Sequence, residues 1–262
     1  MDRVETPVTV GSLVDDFRAL GLAAGDTVIV HASLAALGWV CGGPPAVIDA
    51  LQTVLTADGT LVMPTHSTQY SDPEAWTQPP VPDDWEPVIR AERPPFRPAV
   101  TPTRGMGAIA ECFRGYPGAV RSRHPELSFA AWGANAEAIT ANHSFDYGLG
   151  EDSPLGRLYE QDGQVLLLGV GHDRNTSIHL AEYWAALAQD THENTVPIEL
   201  DGRTETITYR DLKTDASDFD ELGAAYEAAV GLDTGSVGAA TAKLLAQPSL
   251  VDFAVDWLEA NR

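Results

Sequence analysis

The chain is 262 residues long, 44% hydrophobic and 21% charged, a balance that lets one domain, alone or with an embedded part, bury a sizeable core. Its formal net charge of -22 makes nucleic acid and anionic membranes poor partners, because like charges repel within a Debye length, and it favours cationic ligands. Lysine occurs only at Lys213 and Lys243 and carboxylates are spread over nearly every segment, so a solvated surface suited to high salt is the simpler reading of the acidity.

In chain order, apolar positions at Val10, Leu13, Val14, Phe17 and Leu20 predict a helix from Thr9 to Leu20, closed by Gly21. A strand is expected at Thr27–His31, then a Gly-containing loop to Gly43, an amphipathic helix over Pro45–Leu55 and a strand at Thr60–Pro64. Residues 70–103 hold nine prolines among Trp76, Trp85 and Phe96, which predicts neither a regular helix nor an interior strand but a long ordered loop, read as a lid with a solvent-exposed halophilic insertion as the alternative. Helices follow at Met106–Phe113 and Ala134–Ala141, with a strand between them at Ser128–Trp132. Val165–Val170 is apolar on both faces, hence a central strand, and it runs through Gly171–Asn175 into a helix over Thr176–Ala188. Two β-like runs, Val196–Leu200 and Thr204–Tyr209, predict a hairpin turning at Asp201-Gly202. Helices at Phe219–Val230 and Leu250–Ala260 close the chain. Alternating strands and helices define an α/β fold with a central mixed sheet flanked by helices: one domain over 1–262, with the proline-rich insertion 70–103 and a C-terminal β/helical portion 195–262.

No apolar run approaches the roughly 18 residues of a membrane span, and the start, Met1–Thr6, lacks the basic-then-apolar pattern of a leader, so a cytoplasmic protein is expected. Cys41 and Cys112 are too few for a disulfide framework or a zinc cluster and are expected as reduced thiols.

The strongest chemical signal is Gly169-Val-Gly-His-Asp-Arg-Asn-Thr-Ser-Ile-His-Leu-Ala-Glu182, where a buried strand ends in a polar loop that opens a helix. On that helix His179 and Glu182 are three residues apart and share a face, so the carboxylate can fix the imidazole tautomer and support its protonated form, making a general base; the bland alternative is a surface pair of little consequence. Thr176 sits where a helix starts and is either a simple N-cap or, with backbone N–H groups, a donor to a developing oxyanion. His31-Ala-Ser-Leu34, followed by Gly42-Gly43 before a helix, offers backbone amides to a phosphate but departs from the dinucleotide and Walker patterns. Arg104, a rare cation here, suits a phosphate or a structural ion pair; Phe129 reads chiefly as core and His124 as structural. His172 and His179 lack a recognised metal spacing, and no metal is expected.

Asn175–Glu182 resembles the signature of the aminoglycoside 3-N-acetyltransferases, and further stretches similar to that family run along the chain in order: His31–Leu34, Thr101–Gly107, Arg121–Gly133, Asp152–Leu155, Phe219–Gly223 and Gly235–Gly238. The resemblance implies the antibiotic acetyltransferase fold, distinct from the small acetyltransferase fold of the GNAT type, and transfer of an acetyl group from acetyl-coenzyme A to an aminoglycoside amine, an activity that confers antibiotic resistance. By the same resemblance His179 is the base with Glu182 and Thr176 assisting, and His31, Ser33, Leu34, Gly43, Thr103, Arg104, Met106 and Phe129 are candidate coenzyme contacts. A polyamine acceptor needs convergent carboxylates and an aromatic platform, for which Tyr70, Asp72, Asp152 and Asp173 are the candidates. Two rivals stand beside this reading: the same chemistry on another amine metabolite, and a coenzyme-binding relative without catalysis. The partner is a small cationic amine, and the chain is expected as monomer or homodimer.

Overall fold

Thr9 and Ser12 cap the first helix reciprocally, each side chain accepting from the other's backbone N–H (2.9 and 3.2 Å), and Gly21 in the left-handed region (φ 112°) stops it: α1 is Val10–Leu20. The computed structural model describes residues 6–76, 79–188 and 190–262, so the start read for a leader lies, but for Thr6, outside the described residues. β1 (Thr27–Ala32) leads through a loop to α2 (Pro44–Leu55), which begins after two glycines with positive φ and carries proline in its first turn, where a missing N–H costs nothing. Then come β2 (Thr60–Pro64), α3 (Glu86–Glu92), α4 (Gly107–Phe113), β3 (Val120–Arg121), β4 (Phe129–Gly133), α5 (Ala136–Thr140) and α6 (Pro154–Glu160). The second half runs β5 (Gln164–Leu168), α7 (Ser177–Trp184), β6 (Thr191–Leu200), β7 (Arg203–Leu212), α8 (Phe219–Val230), β8 (Gly235–Val237), β9 (Ala240–Ala246) and α9 (Gln247–Asn261).

Seven strands form one mixed sheet in the order β3-β4-β2-β1-β5-β9-β8, with β1 parallel to both β2 and β5 and the remaining pairs antiparallel. Both faces of its centre are covered, which is why β5 reads as a continuous apolar run. Val28 and Val30 of β1 pack with α1, α2 and α4 through Phe17, Ile48, Leu51 and Phe113, whereas Ile29 faces the opposite core built on Leu155, Ile178, Phe219 and Leu250. Each such buried side chain contributes on the order of 2 kcal/mol, so the strand alternation fixes the register of the whole centre. The active-site candidates gather where β1, β2 and β5 reach their carboxyl ends.

Three expectations need correction. The proline-rich segment is not helix-free: Glu86–Glu92 is α3, because Pro87 falls in the first turn of the helix, where proline is tolerated. That segment is also tied down, since Phe96 bridges to Ile198 through Phe96 N to Pro197 O (2.9 Å) and Glu199 N to Phe96 O (3.0 Å), and its Tyr70 and Phe96 share a small core with Val196, Ile198 and Tyr209. The hairpin is longer than its apolar runs suggest, ten residues a side, with positive φ at Asp201 (49°) and Gly202 (75°) in its two-residue turn. Among the described residues, the hairpin alone stands apart from the main sheet; β8, β9 and α9 belong to the central layer, with β9 paired along β5 and α9 packed on α7. Among the described residues no helix is long and apolar enough to cross a membrane.

Candidate active site

The segment from β5 to α7 is fixed before any chemistry is considered. Gly169 has φ 67°, and a Cβ there would come within 2.4 Å of Ala36 Cβ, so the strand can leave the sheet only through glycine. Next, His172 is buried and lies 2.7 Å (Nε2) from Glu227, whose carboxylate also takes Lys243 Nζ at 2.5 Å. Because the carboxylate accepts, Nε2 carries the proton; burial holds this imidazole below its ordinary pKa despite Glu227. A Cβ on Gly223 would meet His172 Cγ at 2.1 Å, so α8 closes directly over the ring. Asn175 Oδ1 then accepts from Ser177 N (3.2 Å) at the start of α7, and Thr176 holds the N-cap position without a side-chain capping bond.

On α7, His179 Nδ1 is 2.5 Å from Glu182 Oε2. Glu182 is buried, 2% exposed, and its Oε1 accepts from Asp215 N (2.9 Å) and Arg262 Nη1 (2.6 Å). A carboxylate among such donors accepts, so the Nδ1 hydrogen points at Glu182 and Nε2 keeps its lone pair, the tautomer a base requires. The side chain of His179 is 18% exposed and packs on Phe219 (ring centroids 4.8 Å).

Thr176, about one helical turn before His179, lines a cleft of 460 Å³ together with His31, Ser33, Leu34, Met106 and Arg174. This brings together five sequence candidates from three segments: the end of β1 with the loop after it, the turn before α4 and the start of α7. Gly105 and Gly107 line it too, both with positive φ, so backbone rather than side chain borders the space there. His31 is buried, its Nε2 has no partner, and burial together with nearby His179 and His172 pulls its pKa down to about 3. His66, just past β2, is in the same state: unpartnered Nε2, edge-on to Phe129 at 5.2 Å, and a pKa lowered to about 3 by burial and by His179. His31, His66, His172 and His179 thus share one neighbourhood, with His31 and His66 held neutral. A larger cavity of 840 Å³ opens at the β3 edge beside Arg114, Arg121 and Arg123, but it touches none of the site candidates.

The remaining candidates are placed elsewhere. Gly43 starts α2, outside the lining of the cleft. Thr103 gives both its N–H (2.8 Å) and its hydroxyl (2.7 Å) to Glu111, and Arg104 is exposed with its guanidinium 5.5 Å over the Trp76 ring. Phe129 is fully buried in β4. Of the acceptor candidates, Tyr70 is buried with its hydroxyl on Pro94 O (3.0 Å), and Asp72 is held by Arg90 (2.6 and 3.0 Å), which lowers its pKa. Asp173 pairs with Arg174 (2.9 Å). Asp152 is exposed beside Tyr147, Tyr183 and Glu151 in a cavity of 490 Å³. His124 is structural, its Nδ1 accepting from Glu126 N and Leu127 N and its Nε2 facing Phe145 O (3.1 Å).

Sequence reasoning missed His66, Arg174 and Arg262. Arg174 lay inside the quoted motif, and His66 follows a recognised strand; Arg262 carried no local signal. Among the described residues no group of three His, Cys, Asp or Glu side chains converges as a metal site.

A mixed sheet carrying a histidine–carboxylate pair beside a strand-end cleft is an arrangement that α/β enzymes can use for general-base chemistry. The family model "Aminoglycoside 3-N-acetyltransferase" matches residues 29–259, and the chain belongs to that family. It is 44% identical over 256 residues to the SPbeta prophage-derived aminoglycoside N(3')-acetyltransferase-like protein YokD of Bacillus subtilis (strain 168), covering 97% of this chain and 94% of that one. To aminoglycoside N(3)-acetyltransferase III of Pseudomonas aeruginosa it is 40% identical over 270 residues, covering 100% of this chain and 97% of that one. The crystal structure of YokD superposes with a TM-score of 0.94 over 98% of this chain and 95% of that one. A binary complex of AAC-IIIb with CoASH is similar with a TM-score of 0.88 at 33% identity, covering 97% of each chain. AAC-VIa bound to sisomicin also gives 0.88, at 29% identity over 98% of this chain and 99% of that one.

Proposed function

We propose that this protein transfers the acetyl group of acetyl-coenzyme A to an amino group of an aminoglycoside, at the 3-amino position by analogy with its relatives. The observation that carries the reading is the His179–Glu182 pair, with Nδ1 committed to the carboxylate and Nε2 left basic, one helical turn from a cleft lined by Ser33, Leu34, Met106 and Thr176. Support for the two substrates comes from AAC-IIIb, solved with CoASH, and AAC-VIa, solved with sisomicin. In this mechanism Ser33, Leu34, Met106 and the backbone at Gly105–Gly107 hold the pantetheine arm. The acceptor reacts as the neutral amine, its ammonium proton having gone to solvent; as the nitrogen attacks the thioester carbonyl, His179 Nε2 takes the proton that the nitrogen sheds, the N–C bond forms, the C–S bond breaks, and the imidazolium returns that proton to the departing thiolate. Thr176 and N–H groups at the start of α7 donate to the carbonyl oxygen as it gains charge. Glu182 keeps the imidazole in its working tautomer throughout.

The 262 residues act as one catalytic unit in this reading, and the 70–103 segment, docked on the hairpin through Phe96, serves as the cover over the acceptor side. Thiol release measured against aminoglycosides, amino sugars and simple polyamines, with the acylated position read by NMR, tests it. Release with aminoglycosides and a 3-N-acetyl product is expected. Turnover with another amine alone would refute the acceptor assignment, and no turnover with any amine despite coenzyme binding would refute the enzyme reading.

A further inference from the structure

The base pair is not self-sufficient. Glu182 is buried at 2% exposure, and burying a carboxylate is costly unless it is charge-paired and hydrogen-bonded. Its Oε1 is met by Arg262 Nη1 at 2.6 Å and by Asp215 N at 2.9 Å, while Oε2 is given to His179. Arg262 is itself clamped: Nε and Nη2 fork onto Asp218 at 2.8 and 2.6 Å, Nη2 also reaches Asp215 O, and the guanidinium lies 5.9 Å over the Phe219 ring that packs on His179. The fork leaves Nη1 one direction, and Glu182 is in it.

We propose that Arg262 is a positioning residue for the catalytic base, fixing which oxygen of Glu182 faces His179 and partly balancing the carboxylate charge that His179 feels. The inference rests on the reading of His179 as the base. The titratable and charged groups around the pair are Asp215 and Asp218 before α8, Arg262 beyond α9, Tyr183 on α7, and His31 and His66 from the ends of β1 and β2. Among the described residues, Arg262 brings positive charge into contact with Glu182 from outside the pair, and the two histidines are held neutral. Without it the carboxylate and imidazole share their proton more tightly, whichever of the two carries it, so the pair gives up that proton only at higher pH. A base that stays protonated cannot accept from the amine, and the acid limb of the activity profile moves upward.

The test is the pH profile of kcat/KM in the full-length enzyme, with coenzyme A affinity and melting temperature as controls. Arg262→Gln is expected to lower kcat about 10-fold and to move the acid limb up by about one pH unit, with coenzyme affinity within about threefold. Arg262→Lys keeps the charge and is expected to restore the limb to its wild-type position while recovering only part of kcat, since ammonium cannot reproduce the fork. A fall in kcat with an unmoved limb in Arg262→Gln would make the arginine merely structural and overturn the proposal. Asp218→Asn gives an independent reading should Arg262→Gln not fold: it releases the fork, and an unmoved limb there overturns the proposal equally. His179→Ala in the same assay separates the two claims. If it remains fully active, the base reading itself fails; if it is inactive while Arg262→Gln keeps the wild-type limb, only the Arg262 inference fails.

Discussion

Replacing Glu182 by glutamine puts an NH2 donor where both carboxylate oxygens are met by donors. Turned towards Arg262 and Asp215 N, the amide nitrogen opposes two N–H groups; turned towards His179, it forces Nδ1 to accept and moves the ring hydrogen to Nε2, which then has no lone pair for the amine. Among the described residues, both orientations set the new donor against a donor or change the imidazole tautomer, and burial keeps the side chain from turning out to water. One unsatisfied buried donor costs about 1–3 kcal/mol, and losing the charge that supports the imidazolium adds to it, so a rate loss near 2.7 kcal/mol, about 100-fold in kcat, is expected. Thiol release under saturating coenzyme, with coenzyme affinity measured separately, reads this directly; affinity should stay within about threefold. A Glu182→Gln enzyme with kcat within about twofold of wild type would show that the pair does not set the tautomer, and the mechanism built on it would have to be abandoned.

His179→Ala is expected to lower turnover by at least about 100-fold with coenzyme affinity nearly unchanged, and parallel losses of both would instead mark a structural residue. Stability should fall on acidification: His31, His66 and His124 are held neutral in the fold down to about 3, 3 and 4 by burial, whereas the unfolded chain protonates them below about 6.5. Each proton bound only by the unfolded chain removes about 1.4 kcal/mol per pH unit; Glu126, whose carboxyl burial pushes up to about 7, acts oppositely between about 4.5 and 7, as does Asp211, raised by burial too, but they stand against these three histidines and against His143 and His172, which burial lowers as well. Melting temperatures that hold steady or rise from pH 7 to pH 5 would contradict this sum. If the charge of -22 reflects a surface suited to brine, the melting temperature and the KM of a polycationic acceptor both rise between about 0.1 and about 2 M salt, coenzyme binding changing less; a salt-independent melting temperature removes the brine explanation.

The parts of the fold that could be read in the sequence are those whose cause is local. Gly21 ends α1 by its own φ, the Asp201-Gly202 turn sets the hairpin, and β5 shows its two-sided burial as an uninterrupted apolar run. β8 and β9 were not legible because Gly235–Val237 and Ala240–Ala246 hold mostly small residues, without the β-branched alternation that marks a strand; it is pairing of β9 to Gln164–Leu168, and of β8 to β9, that makes them strands. α3 was hidden by its proline, which is harmless only at the position it happens to take. At the site, His179 and Glu182 are visible because one helix carries both. Arg262 meets Glu182, and Asp218 meets Arg262, through tertiary packing of α7, α8 and α9, and no spacing rule connects residues so far apart. Asp72 shows the reverse failure: a carboxylate that composition offers to a cationic acceptor is taken by Arg90.

The pairing of β1 with both β2 and β5 sets the order in which the molecule can assemble. Ile29 meets Val62 early in the chain but Val165 only after more than half of it, so one edge of β1 stays open while the intervening segments are made. Closing so long a loop is slow in entropy terms, and a bare, apolar strand edge is a template for pairing with another chain. Synthesis and refolding of this protein therefore pass through a stage in which β1, β2 and β4 can already stand together and the groove for β5 is vacant. Yield from denaturant should accordingly drop with protein concentration faster than native stability alone would dictate, and a chaperone that shields strand edges should recover it.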